Sequence, residues 1–217
     1  MNKLTKMLCT IVALCGLTTA SNAGWLGSPY VEVGTSAVGV EAAGNHNDVQ
    51  GAVTTGAVGK TAVTANYGVG TILGSGKFSL DLGYILTPGE AKLSTKSDSA
   101  TAKDVSLEID GLKEMHIAPM LNITDDARLY VKFGWVDADL AVKGDVNKIN
   151  SMDGETLAVG TVMSWGSNMY IRTEAGMTEY DTLKFTGLGS TGGVSASETI
   201  TATPDVHYGR ISIGFKF

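Results

Sequence analysis

The sequence predicts an all-β protein: eight antiparallel strands, joined up and down and closed into a transmembrane barrel. Three observations predict it. After residue 24 the chain has no apolar run of the roughly 20 residues a membrane helix needs, yet stretch after stretch alternates apolar and polar side chains with period two. The connections between these stretches run long, short, long, short, long, short, long, as they do where outer loops are long and inner turns short. The final residues, Tyr208-Gly-Arg-Ile-Ser-Ile-Gly-Phe-Lys-Phe217, set Ile211, Ile213, Phe215 and Phe217 on one face and Tyr208, Arg210, Ser212, Gly214 and Lys216 on the other. Strands satisfy their backbone groups in lipid only by closing into a barrel.

In chain order, the first element is an export signal. Met-Asn-Lys-Leu-Thr-Lys, the apolar run Met7 to Leu17 and then Ala20-Ser-Asn-Ala23 give a basic region, a short apolar region and a small-x-small cleavage site carried by Ser21 and Ala23. Residues 1–23 are read as a cleaved signal peptide and residues 24–217 as the barrel domain. Both cysteines, Cys9 and Cys15, lie in the signal, so no disulfide, thiolate ligand or cysteine nucleophile is expected in the mature chain. A lipid anchor on Cys15 would follow bulky Leu14 where a small residue is expected. Loss of Lys3 and Lys6 leaves 14 bases against 22 acids, a net charge of −8 that does not favour nucleic acid as a partner.

The first strand is read over Tyr30 to Val40 and is weakly patterned; Ala42 to Gly56, rich in Gly, Asn and Thr, reads as a loop. Lys60 to Leu73 restores alternation, with Val63, Ala65, Tyr67 and Val69 sharing a face. After the turn at Gly74-Ser-Gly76, Phe78, Leu80, Leu82, Tyr84 and Leu86 alternate with Ser79, Asp81, Gly83 and Ile85. Lys92 to Asp104 reads as a second long loop. A fourth strand, Leu112 to Ile123, contains Pro119, which predicts a bulge because a closed barrel offers no free edge. Thr124 to Ala127 turns the chain into a fifth strand with Leu129, Val131, Phe133 and Trp135 on one face. The third long loop, Asp139 to Glu155, is acidic. Leu157, Val159, Thr161, Met163 and Trp165 face one way in the sixth strand; Gly166-Ser-Asn168 turns. In the seventh, Met169, Ile171, Ala175 and Met177 oppose Tyr170, Arg172, Glu174 and Gly176. Thr186 to Asp205 is the fourth long loop before the terminal strand.

The apolar face carries Tyr67, Tyr84, Trp135 and Trp165, the residue types a lipid interface selects, and the opposite face is small and charged. The ending resembles the terminal strand of bacterial outer-membrane β-barrels, which finish on Phe and carry an aromatic about ten residues back; Tyr208 fills that place. Asn122-Ile-Thr-Asp-Asp-Ala-Arg-Leu-Tyr-Val looks like that group's central periplasmic turn. With its topology, the chain resembles the small eight-stranded outer-membrane barrels, the group that includes the OmpA-like transmembrane domain. The resemblance spans nearly all of the mature residues. It implies the outer membrane of a Gram-negative bacterium, both mature termini periplasmic, outer-membrane lipid around the wall, and a terminal strand (Tyr208, Ile213, Phe215, Phe217) read by the barrel assembly machinery.

The inward charges Glu32, Asp81, Lys132, Arg172, Glu174 and Arg210 are expected to form one paired layer across the lumen, three acids against three bases, since an unpaired buried charge costs several kcal/mol. An eight-stranded barrel is just wide enough for side chains to fill, so the lumen is expected to be plugged. Some lipid hydrolases of this architecture resemble one another in a His-x-Ser pair on the lipid face. Here Gly209 stands two residues after His207 and supplies no nucleophile, His116 lies beside Glu114 by parity in the lumen without a fitting Ser, and His46 falls in a loop, so no enzyme and no cofactor are expected. Asp145-Val-Asn147 and Asp153-Gly-Glu155 lack the spacing of a calcium loop. The Gly-rich pieces Gly68-Val-Gly70 and Gly187-Leu-Gly189 precede no helix that would cradle phosphate. The functional expectation is a structural or surface-interaction role, with an extracellular ligand on the loops. The alternatives are a narrow passive channel for small solutes and, below it, an outer-membrane lipid hydrolase.

Overall fold

The computed structural model describes residues 27–47, 51, 53–74, 76–94, 106–189 and 196–217. The expected signal peptide and its cleavage residues Ser21 and Ala23 lie outside the described residues. Nine strands follow one another: β1 Ser28–Asn47, β2 Val53–Leu73, β3 Phe78–Ser94, β4 Ser106–Asn122, β5 Ala127–Lys143, β6 Ser151–Trp165, β7 Met169–Tyr180, β8 Leu183–Thr186 and β9 Thr199–Lys216. Each pairs antiparallel with its neighbour, except that β9 takes both β7 and the short β8 along one edge. The other edge of β9 pairs with β1 from Tyr30↔Lys216 to Asn47↔Thr199 and closes the barrel. Eight strands therefore make the wall, with β8 extending β7 beyond the break at Asp181-Thr182.

The short turns all lie at the end where β1 begins and β9 finishes. Gly74 and Gly76 have φ of 89° and 81°, a left-handed conformation that glycine adopts without a Cβ clash. Thr124 Oγ1 accepts the Asp126 and Ala127 N–H groups at 3.3 and 3.0 Å and tightens the β4–β5 turn.

Two of the four stretches read as long loops, Ala42 to Gly56 and Asp139 to Glu155, are largely strand; of the other two, residues 95–104 and 190–195 lie outside the described residues. β1 runs on to Asn47 and β2 starts at Val53, so most of 42–56 is a hairpin, and β5 to Lys143, β6 from Ser151 and β9 from Thr199 extend the wall likewise. The bulge expected at Pro119 is not there. Pro119 pairs with Leu80 in unbroken register, and its exposed ring faces outward. The register shifts lie between Thr87 and Glu90 in β3 and between Asp110 and Lys113 in β4. Gly89 (φ 139°) and Gly111 (φ 60°) supply the backbone these two bulges need. The β4–β5 ladder meanwhile skips from Ile117↔Phe133 to Met120↔Tyr130 without changing register, so the missing proline N–H costs a local bond, not an added residue.

Candidate functional site

Outside the bulges of β3 and β4 strand parity does not slip, yet the character of the two faces of the wall inverts along the strands. At the short-turn end the outside is apolar: Val33, Phe78, Phe133, Trp165, Ile211, Ile213, Phe215 and Phe217 are all exposed there. Tyr67 and Trp135 belong to the same band, whereas Tyr84, on the same face, is only 6% exposed among its neighbours. The inside at this end is charged. Farther along, the outside turns acidic just beyond Trp135 and Leu157. There Asp137 pairs with Asp153, Glu155 with Glu179, and Glu179 with Asp205. The inside there turns apolar: Val40, Ile109, Val136, Leu140, Met152, Tyr180, Leu183, Phe185 and Val206 form one buried cluster. Val146 joins it from the β5–β6 connection, which is held by a bridge to Gly187 and by the Thr186 N–H bonding Asn147 Oδ1 at 2.6 Å.

The charged layer occupies the apolar-walled half. All six residues expected to face inward are buried, and Asp81 and Lys132 have no exposed surface. They gather in two groups. Arg172, from β7, reaches across to β3 and β1, donating from Nη2 to Asp81 Oδ2 at 2.7 Å and placing Nε 3.3 Å from Glu32 Oε2. Lys132 from β5 bonds Glu174 Oε1 at 2.6 Å, and Arg210 from β9 lies 3.4 Å from both Glu174 and Glu114.

Two members were missing from the expected set. Glu114 on β4, 2% exposed, pairs with Lys132 as well as Arg210. His116, 1% exposed, places Nε2 3.5 Å from Asp81 Oδ2. The layer therefore holds four carboxylates against three fixed cations plus an imidazole, a correction to the expected three against three. Strand parity in β4 already sets His116 beside Glu114 in the lumen, but on the sequence alone the two are weighed only as a catalytic pair and not as members of the charged layer.

Tyrosines complete the layer. Tyr30 donates to Asp81 at 2.9 Å, Tyr170 to Glu32 at 2.9 Å, and Tyr130 and Tyr208 to Glu174 at 2.7 and 2.9 Å. The Arg172 guanidinium sits 5.2, 5.4 and 5.8 Å from the ring centres of Tyr30, Tyr130 and Tyr170, near enough for each ring face to stabilise the cation. Every one of these rings lies over a glycine directly opposite on the next strand: Tyr30 over Gly70, Tyr130 over Gly160, Tyr170 over Gly214, Tyr208 over Gly176. A Cβ at Gly176 would come 2.7 Å from the Tyr208 hydroxyl, so the inward glycines are the seats of the inward tyrosines.

The remaining candidates do not assemble. His207 is exposed on the outside, and His46, in β1 and not in a loop, lies 3.5 Å from Glu198. Asp145, Asn147, Asp153 and Glu155 do not converge, and among the described residues no cluster suited to a metal ion is present. Of the C-terminal residues, Ile213, Phe215 and Phe217 face outward, with the Phe215 and Phe217 rings edge to face, and Tyr208 faces inward.

No family model and no curated sequence matches this chain. Solved structures do. The outer membrane protein OprG from Pseudomonas aeruginosa superimposes with a TM-score of 0.55 at 12% identity, over 88% of this chain and 96% of that one. The fold is that of a small outer-membrane β-barrel. Ail, the attachment invasion locus protein of Yersinia pestis, gives a TM-score of 0.40 at 10% identity, over 88% and 99% of the two chains. The outer membrane protease OmpT from Escherichia coli gives 0.48 at 8%, over 92% and 99%. Both are looser likenesses. In a barrel of this kind the apolar outer band faces lipid, and the row of outward charges beginning at Lys113 and Asp137 marks where the wall leaves it.

Proposed function

We propose that this chain is an integral, non-enzymatic protein of the Gram-negative outer membrane that presents an extracellular surface to a partner and does not conduct along its axis. The observation that carries this is the filling of the interior: a layer of mutually paired charges in the lipid-embedded half, continued outward by an apolar cluster. An eight-stranded barrel leaves room for side chains and little else. Ion pairs that bond one another, as Arg172 does with Asp81 and Glu32, have little to gain from exchanging partners with a passing solute. The terminal strand, with Phe215 and Phe217 outward at its end, supplies the signal for assembly machinery to read, and the outward acids beyond the lipid band give the projecting wall a polar surface.

Planar-bilayer recording of the refolded mature chain tests the reading. A steady baseline is expected; reproducible single-channel steps would favour the narrow channel instead. Altered lipid A in cells overproducing the protein would favour the hydrolase.

A further inference from the structure

The inner face of β1 carries the charged layer through three successive rows. Glu32 lies between Gly68 and Gly214, Gly34 between Asn66 and Ser212, and Ser36 between Thr64 and Arg210. Where other inward glycines seat tyrosine rings, Gly34 and Gly68 have polar atoms leaning over them. A Cβ at Gly68 would come 2.9 Å from Glu32 Oε1, and a Cβ at Gly34 would meet both Asn66 Oδ1 and Ser212 Oγ. Gly68 follows Asn66 by two residues on the same face, so the three oxygens occupy adjoining rows.

Each of these side chains has one atom unmet. Glu32 Oε2 accepts the Tyr170 hydroxyl at 2.9 Å and lies 3.3 Å from Arg172 Nε, but Oε1 has no partner. Asn66 Nδ2 donates to Ser36 Oγ at 2.9 Å, and Oδ1 has no partner. Ser212 Oγ has none either. Asn66 and Ser212 are 1% exposed and Glu32 5%, so bulk solvent does not reach them. A buried polar atom left unmet keeps its full desolvation penalty, and native folds supply such atoms with protein or ordered water.

The three atoms cannot satisfy one another. A carboxylate oxygen and an amide oxygen only accept, and the Ser212 hydroxyl brings one proton for two acceptors. What they call for is a small group that donates two hydrogen bonds and accepts at least one. It would be enclosed on both sides. Toward the short turns, Tyr30 and Tyr170 stand edge to face with ring centres 5.8 Å apart. Toward the other end, Val40 and Val206 pair across β1 and β9 in the apolar cluster.

We propose that Glu32 Oε1, Asn66 Oδ1 and Ser212 Oγ bind one trapped water molecule inside the barrel. The water donates to the Glu32 and Asn66 oxygens and accepts the Ser212 proton, the roughly three hydrogen bonds usual for a buried water. Its second lone pair is left for a guanidinium N–H, and Arg172 Nη1 and Arg210 Nη1 both lack a hydrogen-bond acceptor. The lumen is then sealed without being dry. On the far side Tyr130 and Tyr208 bring hydroxyls to Glu174; on the β1 side a held water does the same for Glu32. The proposal rests on the closed lumen of the reading above and names what completes it.

Oxygen-17 relaxation dispersion of the solvent counts long-lived waters and is blind to exchanging hydroxyl protons. For the full mature chain in detergent micelles, the dispersion should exceed that of empty micelles, and Asn66→Leu should remove the equivalent of one water. Ser212→Val, which fills the space over Gly34 from the other strand, serves if Asn66→Leu fails to fold, with the heat-dependent gel shift reporting the barrel. Ser212→Ala takes one bond from the trapped water, so its unfolding midpoint should fall; a hydroxyl with no partner would let the midpoint hold or rise on removal. The proposal is overturned if the parent shows no dispersion beyond the micelle, the result expected were the Asn66 amide turned over to donate directly to Glu32. It is overturned equally if the folded variant keeps the full dispersion, or if Ser212→Ala melts at or above the parent. Channel steps in a bilayer would instead overturn the closed lumen, whatever the dispersion shows.

Discussion

The two halves of this barrel are built from the same strands and obey opposite rules. On β5, Lys132 and Gly134 face inward and Phe133 and Trp135 outward, while beyond them Val136, Ala138 and Leu140 face inward and Asp137 and Asp139 outward. On β9, Arg210 and Ser212 face in behind Ile211 and Ile213, whereas Val206 faces in behind His207 and Asp205. On β5 and β9 nothing in the backbone changes at the crossing; the solvent does. Where hydrocarbon surrounds the wall, apolar side chains gain nothing by turning inward, and polar groups must meet inside. Where water surrounds it, the hydrophobic effect restores the usual order.

The largest expected effect lies in the lipid-embedded half. Arg172→Ala leaves Glu32 and Asp81 without their cation and strips three tyrosine rings of their guanidinium, so it should cost about 3–5 kcal/mol. Loss of the folded, unboiled band at a much lower temperature checks it. Arg210→Ala should lower the unfolding temperature markedly but less, because Lys132 remains to pair both Glu114 and Glu174. An unchanged value would remove the paired layer as a source of stability.

Next comes the seating of rings on glycines. Gly176→Val places a branched side chain where the Tyr208 ring lies, and should shift the unfolding midpoint by the roughly 1–3 kcal/mol of an overpacked core. Tyr208→Ala combined with it should recover part of the loss, which a thermal melt of the double variant reads.

In the outer half the effects are local. Phe185→Ala should open the apolar cluster, at about 3 kcal/mol for a buried Phe, and speed amide exchange in β8 and the end of β9 while the melting of the embedded half stays put. Accelerated exchange throughout the barrel would show that the halves are one cooperative unit.

The smallest effect concerns pH. Burial, opposed by Lys113 and reinforced by Asp153 and Asp139, holds the Asp137 carboxyl above the usual carboxylate value. The folded protein then holds that proton more tightly than the unfolded chain. The contribution to stability is full below the ordinary carboxylate range and falls as pH rises through the raised value. Asp153→Asn should flatten that slope in outer-half exchange measured from acid to neutral pH.

The inversion also explains what the sequence could and could not convey. The embedded strands were legible because apolar residues alternate with small or charged ones over Phe78 to Leu86 and Tyr208 to Phe217, and the short turns fix strand direction. The projecting strands keep period two, but Asp137, Asp153 and Glu155 face outward, so a search for an apolar outer face reads them as acidic loop. Pro119 drew attention to the wrong bulge, since a proline can leave its ladder bond unmade, whereas Gly89 and Gly111 supply the positive φ a bulge requires. Glu114 and His116 were set side by side in the lumen by parity but weighed only as a catalytic pair, so the charge layer came out one acid short.

The most direct measurement of the inversion is a spin-label scan of β5 in lipid bilayers, with single cysteines at Phe133, Trp135, Asp137 and Asp139. Labels at Phe133 and Trp135 should collide with lipid-soluble oxygen and resist a water-soluble nickel chelate, and labels at Asp137 and Asp139 should do the reverse. Four labels of one kind, all in lipid or all in water, would contradict a wall whose faces exchange character at that row.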